Sequence, residues 1–278
     1  MTIYWLNDSI VDADDAKISV LDHGLTVGDG VFETLLVRDG VPFALTRHLA
    51  RLERSLAGMG FAGPDPSSVR AAVAAVISRS GMEASRARLR VTVTSGSGPL
   101  GSERGDGPPT LIVTLTPTQR WPQSTAVATV PWVRNERSAL VGLKSTSYAE
   151  NAIALASAQR RGASEALLAD TRGRLSEGTG SNIFVVVAGE VLTPSLDSGC
   201  LAGVTRELLI EWSRDFGGIS ETDLPYEVLF SADEVFLSSS TRDVHPVHRV
   251  DSRELPVGSV ATDLAAMFLA RAADDPDP

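Results

Sequence analysis

Hydrophobic and polar positions alternate with two different periods along the chain, and they do so in blocks. Residues 2–6 and 16–21 read as short strands. Residues 31–37 (VFETLLV) follow Gly28-Asp29-Gly30 and end at Arg38-Asp39-Gly40. Asp-Gly is a hairpin turn pair, so residues 41–45 are predicted to return. Leu49, Leu52, Leu56 and Met59 then recur at helical spacing, with Arg47, Arg51 and Arg54 interleaved. This predicts a helix over 46–59 and, with the pattern of 67–80, a second one. Residues 87–94 (ARLRVTVT) and 110–116 (TLIVTLT) return to alternation. The stretch 95–109 is dense in Gly, Ser and Pro and reads as a loop. Strands, helices and strands again make an α+β unit ending near residue 116.

Residues 116–123 (TPTQRWPQ) carry no periodicity and mark a linker. Beyond it the pattern predicts a strand at 126–132, a helix at 147–161 and a strand at 165–169 with a turn at 170–173. A hairpin of 182–187 and 190–193 closes around Ala188-Gly189. A helix at 205–216, a strand at 235–238, a helix at 263–273 and a frayed acidic tail at 274–278 complete the chain. The division expected is a small N-terminal domain, 1–116, a linker, 117–124, and a larger C-terminal domain, 125–278, in a mixed α/β (α+β) fold.

Composition narrows the function. The 278 residues carry 25 Lys+Arg against 35 Asp+Glu, a formal net charge of −10. That argues against nucleic acid and anionic membranes as main partners, while leaving room for a small anionic ligand in a locally basic pocket. The single cysteine, Cys200, allows no internal disulfide and no cysteine-based zinc site, as a reducing compartment would favour. No basic start with an apolar run opens the sequence, and no stretch approaches the ~18 apolar residues that read as a membrane span. A cytoplasmic enzyme or small-molecule binder, with no metal, is the expectation.

Several segments could carry chemistry. Lys144 lies in LKSTSYAEN; if a helix starts near Ser145, Tyr148 and Asn151 share its face. Such a lysine is either a surface charge or an amine poised to form a Schiff base. The segment LSEGTGSN contains Glu177, Ser181 and Asn182 among small residues; it is either a polar loop or a backbone built to approach a ligand. Gly203-Val204-Thr205-Arg206 leads into a helix whose free N–H groups suit a phosphate, with Thr205 as a cap. Ser238, Ser239, Ser240 and Thr241 offer four hydroxyls in a row, for phosphate oxygens or as an ordinary Ser/Thr turn, and Arg51 is a phosphate partner or a solvated charge. The pair His245 and His248 has too few companions for a metal site. Ser95-Gly96-Ser97-Gly98 lacks the strand-to-helix setting of a nucleophile elbow.

The order of these blocks is more specific than any one of them. GDGVFET, HLARL, Lys144…Tyr148…Asn151, EG…SNIF, GVTR and SST…PV follow one another over most of residues 2–270. This order resembles the class-IV, or fold-type IV, family of pyridoxal-phosphate enzymes, which includes D-amino-acid and branched-chain aminotransferases and aminodeoxychorismate lyases. The resemblance implies a two-domain fold like that of D-amino-acid aminotransferase with the cofactor, pyridoxal 5'-phosphate, between the domains of a homodimer. It implies that Lys144 carries the cofactor and moves protons, that Glu177 pairs with the pyridine nitrogen, and that Tyr148 bonds near the ring oxygen. Arg51, the N–H groups of Val204 and Thr205, and the hydroxyls of Thr205 and Ser240, with Thr241 nearby, would hold the phosphate, with Ser181 and Asn182 beside Glu177.

Asp22-His23-Gly24-Leu25 and the Glu33-Thr34 ending of the first block are similar to those of the lyases, Thr34 in particular. The function this implies is 4-amino-4-deoxychorismate cleavage to 4-aminobenzoate and pyruvate, a step toward folate. The alternative is a branched-chain or D-amino-acid aminotransferase using a 2-oxo acid. Either takes a small amino substrate. Its carboxylate would meet Arg104, displaced from the family's usual spacing, or Arg242.

Overall fold

The computed structural model describes residues 3–81 and 86–278. The chain divides into two compact units. The first comprises the N-terminal residues to Arg120, Leu143–Tyr148 and Asp275–Pro278; the second comprises Trp121–Gly142 and Ala149–Asp274.

In the first unit, strands β1 (Ile3–Leu6), β2 (Ser9–Asp12), β3 (Gly30–Arg38), β4 (Val41–Pro42), β5 (Arg86–Thr94) and β6 (Thr110–Pro117) form one antiparallel sheet, ordered β2-β1-β6-β5-β3-β4. A short helix, α1 (His23–Thr26), precedes β3; α2 (Leu45–Met59) and α3 (Pro66–Arg79) follow β4. Leu49, Leu52 and Leu56 of α2 and Val69, Val73 and Val76 of α3 share one core with Val31, Leu35, Leu89 and Val91 of the sheet. Period-two and period-3.6 apolar stripes thus meet face to face, which is what buries them. Helix α2 ends on Gly60, whose left-handed φ of 74° lets its N–H reach Leu56 O and Ala57 O.

Two expectations fail here. Residues 16–21 form no strand; Ser9–Asp12 pairs with β1 instead. The expected strand start at Thr2 lies outside the described residues. The acidic tail is not frayed. Ala44, the residue before α2, has a left-handed backbone and no side-chain cap, and the tail supplies one. Ala44 N donates to Pro276 O at 2.7 Å, and Thr46 N and Oγ1 donate to the Asp277 carboxylate, each at 2.7 Å. A carboxylate at a helix N-terminus satisfies orphan N–H groups and meets the positive end of the dipole.

In the second unit, a mixed sheet contains β7 (Thr125–Arg134), β8 (Glu165–Asp170), β9 (Leu175–Gly178), β10 (Asn182–Val187), β11 (Glu190–Pro194), β12 (Ile219–Thr222), β13 (Glu234–Ser239), β14 (Asp243–Val250) and β15 (Arg253–Glu254). Its order is β12-β11-β10-β13-β14-β7-β8-β9, with β15 on β14. Helices α4 (Ala149–Gln159), α5 (Val204–Trp212) and α6 (Ser259–Asp274) accompany it. Ala154 and Ala158 of α4 pack on Ala126, Ala128 and Ala166, so small side chains let helix and sheet approach closely. The segment before Asn182, open to reading as a polar loop or as a backbone built to approach a ligand, begins with a buried strand, β9, paired with β8. Helix α4 begins at Ala149, later than expected, so no helical face carries both Lys144 and Tyr148.

Candidate functional site

In the first unit the alternation of β3 sends side chains to two faces. Val31, Leu35 and Val37 join the core with α2 and α3. Glu33 points the same way, and α2 supplies its partners. Arg51 Nε and Nη2 donate to its two oxygens at 2.8 and 2.7 Å, and His48 Nδ1 lies 2.6 Å from Oε2. All three are buried. Burial alone would raise the Glu33 pKa, but Arg51 and His48 hold it far below the usual carboxylate range. Burial pushes His48 below its ordinary value, against the pull of Glu33. Arg51, expected at a phosphate, is therefore braced by Glu33.

The opposite face of β3 carries Phe32 and Thr34, and the extended segment of residues 143–148 lies along the start of this strand. Phe32 N donates to Lys144 O at 2.9 Å, and Thr146 N to Gly30 O at 2.8 Å. The same pairing delivers Lys144 Nζ to 4.5 Å from the centroid of the Phe32 ring. Tyr148 meets that ring edge-on at 5.3 Å. Arg90 stacks on it at 3.8 Å from β5, where it pairs with Thr34. Lysine, phenol and arginine thus converge around one phenylalanine. Arg90 was not singled out from the sequence. The signal was available: Arg88 and Arg90 alternate with buried Leu89 and Val91, so they leave the core on the other face.

Arg104 is spent elsewhere. It forms a fork on Asp29 at 2.6 and 2.7 Å and donates to Met59 O and Gly60 O at the end of α2. It ties the loop to the Gly28-Asp29-Gly30 turn, and its hydrogen bonds lower the Asp29 pKa.

In the second unit Glu177 is next to last in β9, with 8% of its surface exposed. Leu201 N donates to Oε2 at 3.0 Å, and Arg134 Nε lies 3.0 Å from Oε1. Asn182 donates to Leu201 O at 2.7 Å, fixing the segment before α5 that carries the Leu201 amide. Ser181 donates to Glu165 at 2.9 Å, and Thr179 donates to the same carboxylate. Gly178 is required here, because an added Cβ would collide with Ser181 and Glu165. Asn151 donates to Thr179 O at 2.6 Å and accepts from Arg134.

Val204 and Thr205 open α5. Its N-cap is Gly203, not Thr205, and no side chain caps it. An added Cβ on Gly203 would strike the Asn182 amide. Ser240 and Thr241 form the half-buried turn between β13 and β14. Below it, Ser238 Oγ is buried without a hydrogen-bond partner. Arg242 is held internally: it donates to Ser164 O at 2.9 Å, contacts His245 Nδ1 at 3.1 Å and stacks on Trp121 at 3.7 Å. Burial and this neighbouring cation push His245 down to about 4.

A family profile described as Amino-transferase class IV matches residues 30–250. A putative branched-chain-amino-acid aminotransferase of Methanocaldococcus jannaschii is 34% identical over 277 residues, covering 96% of this chain and 95% of that protein. Aminodeoxychorismate lyase of Bacillus subtilis is 28% identical over 252 residues, covering 89% and 86%. The solved structure of a hypothetical aminotransferase from Mycobacterium tuberculosis, in its PLP-bound form, superposes with a TM-score of 0.87 at 28% identity, covering 98% and 100%. The chain belongs to the class IV aminotransferase family and has the fold-type IV architecture, mixed α+β. The lyase-first expectation shifts accordingly, because the putative branched-chain aminotransferase is more similar to this chain than the lyase is and matches more of it.

Proposed function

We propose that the protein is a pyridoxal-5'-phosphate-dependent aminotransferase that moves the amino group of an aliphatic amino acid to a 2-oxo acid. The observation that carries this reading is the full-length similarity to the Methanocaldococcus aminotransferase, with Lys144 seated among Phe32, Tyr148 and Arg90.

The residues fit the cofactor. Glu177 is a nearly buried carboxylate beside Arg134 and a backbone N–H, an acceptor of the kind that a protonated pyridine nitrogen requires. An uncapped helix N-terminus at Gly203, with hydroxyls at Thr205, Ser240 and Thr241, suits a phosphate, and buried Ser238 Oγ lacks a partner. When bound, the cofactor supplies an electron-accepting ring that stabilises negative charge at the substrate α-carbon.

Lys144 Nζ holds the cofactor and carries the α-proton. The Phe32 ring packs against that nitrogen, and Tyr148 meets the same ring edge-on. Glu177 holds the ring-nitrogen proton, and Ser181 and Asn182 keep β10 and Leu201 in register around it. Arg51, the arginine assigned to the phosphate, is held in place by its fork on Glu33. Arg90 takes the substrate carboxylate, since Arg104 and Arg242 are committed to Asp29 and to Ser164. Arg90 is oriented by Thr92, whose Oγ1 accepts from its Nε at 3.2 Å, and Thr34 is its cross-strand partner. The working unit in this reading is a homodimer.

Purified protein supplied with pyridoxal phosphate is expected to show an absorbance band near ~410 nm that borohydride removes and Lys144→Ala lacks. Leucine with 2-oxoglutarate should then yield glutamate, and Arg90→Ala should raise KM at least ~10-fold. Absence of the band overturns the cofactor reading. A second reading, aminodeoxychorismate lyase, has the Bacillus relative in its favour. Pyruvate and 4-aminobenzoate formed from aminodeoxychorismate without any oxo acid, and no glutamate from leucine, would put it first.

A further inference from the structure

We propose that a second small-molecule site lies wholly within the C-terminal unit, at the end of β7, and that it takes a small monocarboxylate with an apolar body. Strand β7 carries an irregularity where it pairs with β8: Thr129 faces Leu167, but Val133 faces Ala169. Four positions on one strand span two on the other, and the surplus bulges. Bulges re-aim side chains, and this one leaves Trp132 and Val133 about half exposed, at 45% and 46%. Helix α4 sets Ile153, 57% exposed, opposite them. Together with Leu168 they wall a cavity of about 360 Å³. That volume lies at the lower end of the small-molecule range.

Arg134, Asn151 and Glu150 add polar groups to the lining of this apolar cavity. Arg134 Nε lies 3.0 Å from Glu177 Oε1 as an ion pair, while both terminal nitrogens share the single Asn151 Oδ1 at 3.3 and 3.4 Å. Those are long bonds to a neutral acceptor. A carboxylate presents two charged acceptors in the spacing of the guanidinium fork and would form shorter, stronger bonds there. Glu150 disfavours a second negative charge, so a monocarboxylate fits better than a dicarboxylate. The occupant is therefore a small carboxylate with a hydrocarbon end against Trp132 and Ile153. A carboxylate bound there would reach Glu177 through Arg134; that consequence, unlike the binding itself, rests on the cofactor reading above.

The test titrates the full chain with hexanoate while tryptophan emission is recorded, with hexan-1-ol as the uncharged control. Expected are a saturable emission shift with hexanoate, at least ~10-fold weaker binding of hexan-1-ol, and at least ~10-fold weaker hexanoate binding in Ile153→Asp. Trp132→Phe should abolish the shift while calorimetry still detects hexanoate. Lys144→Ala should leave hexanoate binding intact while removing the ~410 nm band, so the two proposals fail separately. The proposal is overturned by no saturable shift, by equal binding of hexan-1-ol, by unchanged binding in Ile153→Asp, or by a shift that survives Trp132→Phe. A change in sedimentation mass on Ile153→Asp would equally overturn it, because the patch would then be a contact between copies of the chain.

Discussion

Each unit buries one glutamate, one arginine and one histidine together, and the two clusters solve the desolvation problem differently. In the N-terminal unit Glu33 touches Arg51 through a two-bonded fork and His48 at 2.6 Å, with no neutral group between the charges. In the C-terminal unit Glu165 and Arg242 stand 3.7 Å apart. Hydroxyls of Thr179 and Ser181 serve the carboxylate, while Ser164, His245 and the Trp121 face serve the guanidinium. The first cluster is neutralised by direct contact and the second by dipoles. Direct contact concentrates the cost of losing one member, because the survivor is left as a bare buried charge. Dipoles spread that cost.

The largest expected effect follows from removing a member of the direct cluster. Glu33→Ala should destabilise by ~3–5 kcal/mol in urea unfolding, because Arg51 is stranded. Adding Arg51→Met should recover part of that loss. A double variant no more stable than Glu33→Ala would break the comparison.

Acid should produce the next effect, and through the histidines. His245 titrates at about 4 when folded, below its ordinary value of 6.5. The unfolded chain therefore takes up the proton first, and stability falls as pH drops through the window from 6.5 to 4. The expected loss is up to ~3 kcal/mol at a limit of ~1.4 kcal/mol per pH unit. His48, also depressed, acts in the same direction. Glu33 keeps its charge throughout that window, because its folded pKa lies far below it. Urea midpoints at pH 7 and pH 4.5 measure the slope, which His245→Gln should flatten.

Glu165→Gln should cost less, ~1–2 kcal/mol, since the amide oxygen still accepts a hydroxyl and Arg242 keeps its dipoles. A loss as large as that of Glu33→Ala would erase the distinction between the clusters. Asp277→Ala should cost least, ~1 kcal/mol, as the loss of a helix cap. Because α2 carries His48 and Arg51, hydrogen exchange should rise at the start of that helix and leave β8 and β14 unchanged.

The elements were largely readable where a single period ran long enough. Leu49, Leu52 and Leu56 predict α2, and the alternation of residues 87–94 predicts β5, because one face of each must be buried. Short segments misled. Residues 16–21 alternate over too few positions to separate a strand from a loop. Leu175-Ser176-Glu177-Gly178 looks like a polar loop because its polar groups are satisfied by partners far along the chain: Ser198 O for Ser176, and Leu201 N with Arg134 for Glu177. The candidate site follows the same rule. Lys144, Tyr148, Glu177 and the Gly203 helix start stand out by residue type and order. Their actual neighbours, Phe32, Arg90 and Arg134, are set by strand pairing and by nothing local.

The sequence by itself determined the family, through blocks whose order and residue types one chemistry demands, and it determined which face of each long element is apolar. Only the tertiary structure decided which arginine does what. Arg51, Arg104, Arg134 and Arg242 are alike as letters, yet they meet Glu33, Asp29, Glu177 and Ser164 respectively. A guanidinium's role depends on which acceptors lie within ~3 Å. Distances at that scale are fixed by register, bulge and packing between segments remote in the chain, not by the spacing of residues along it.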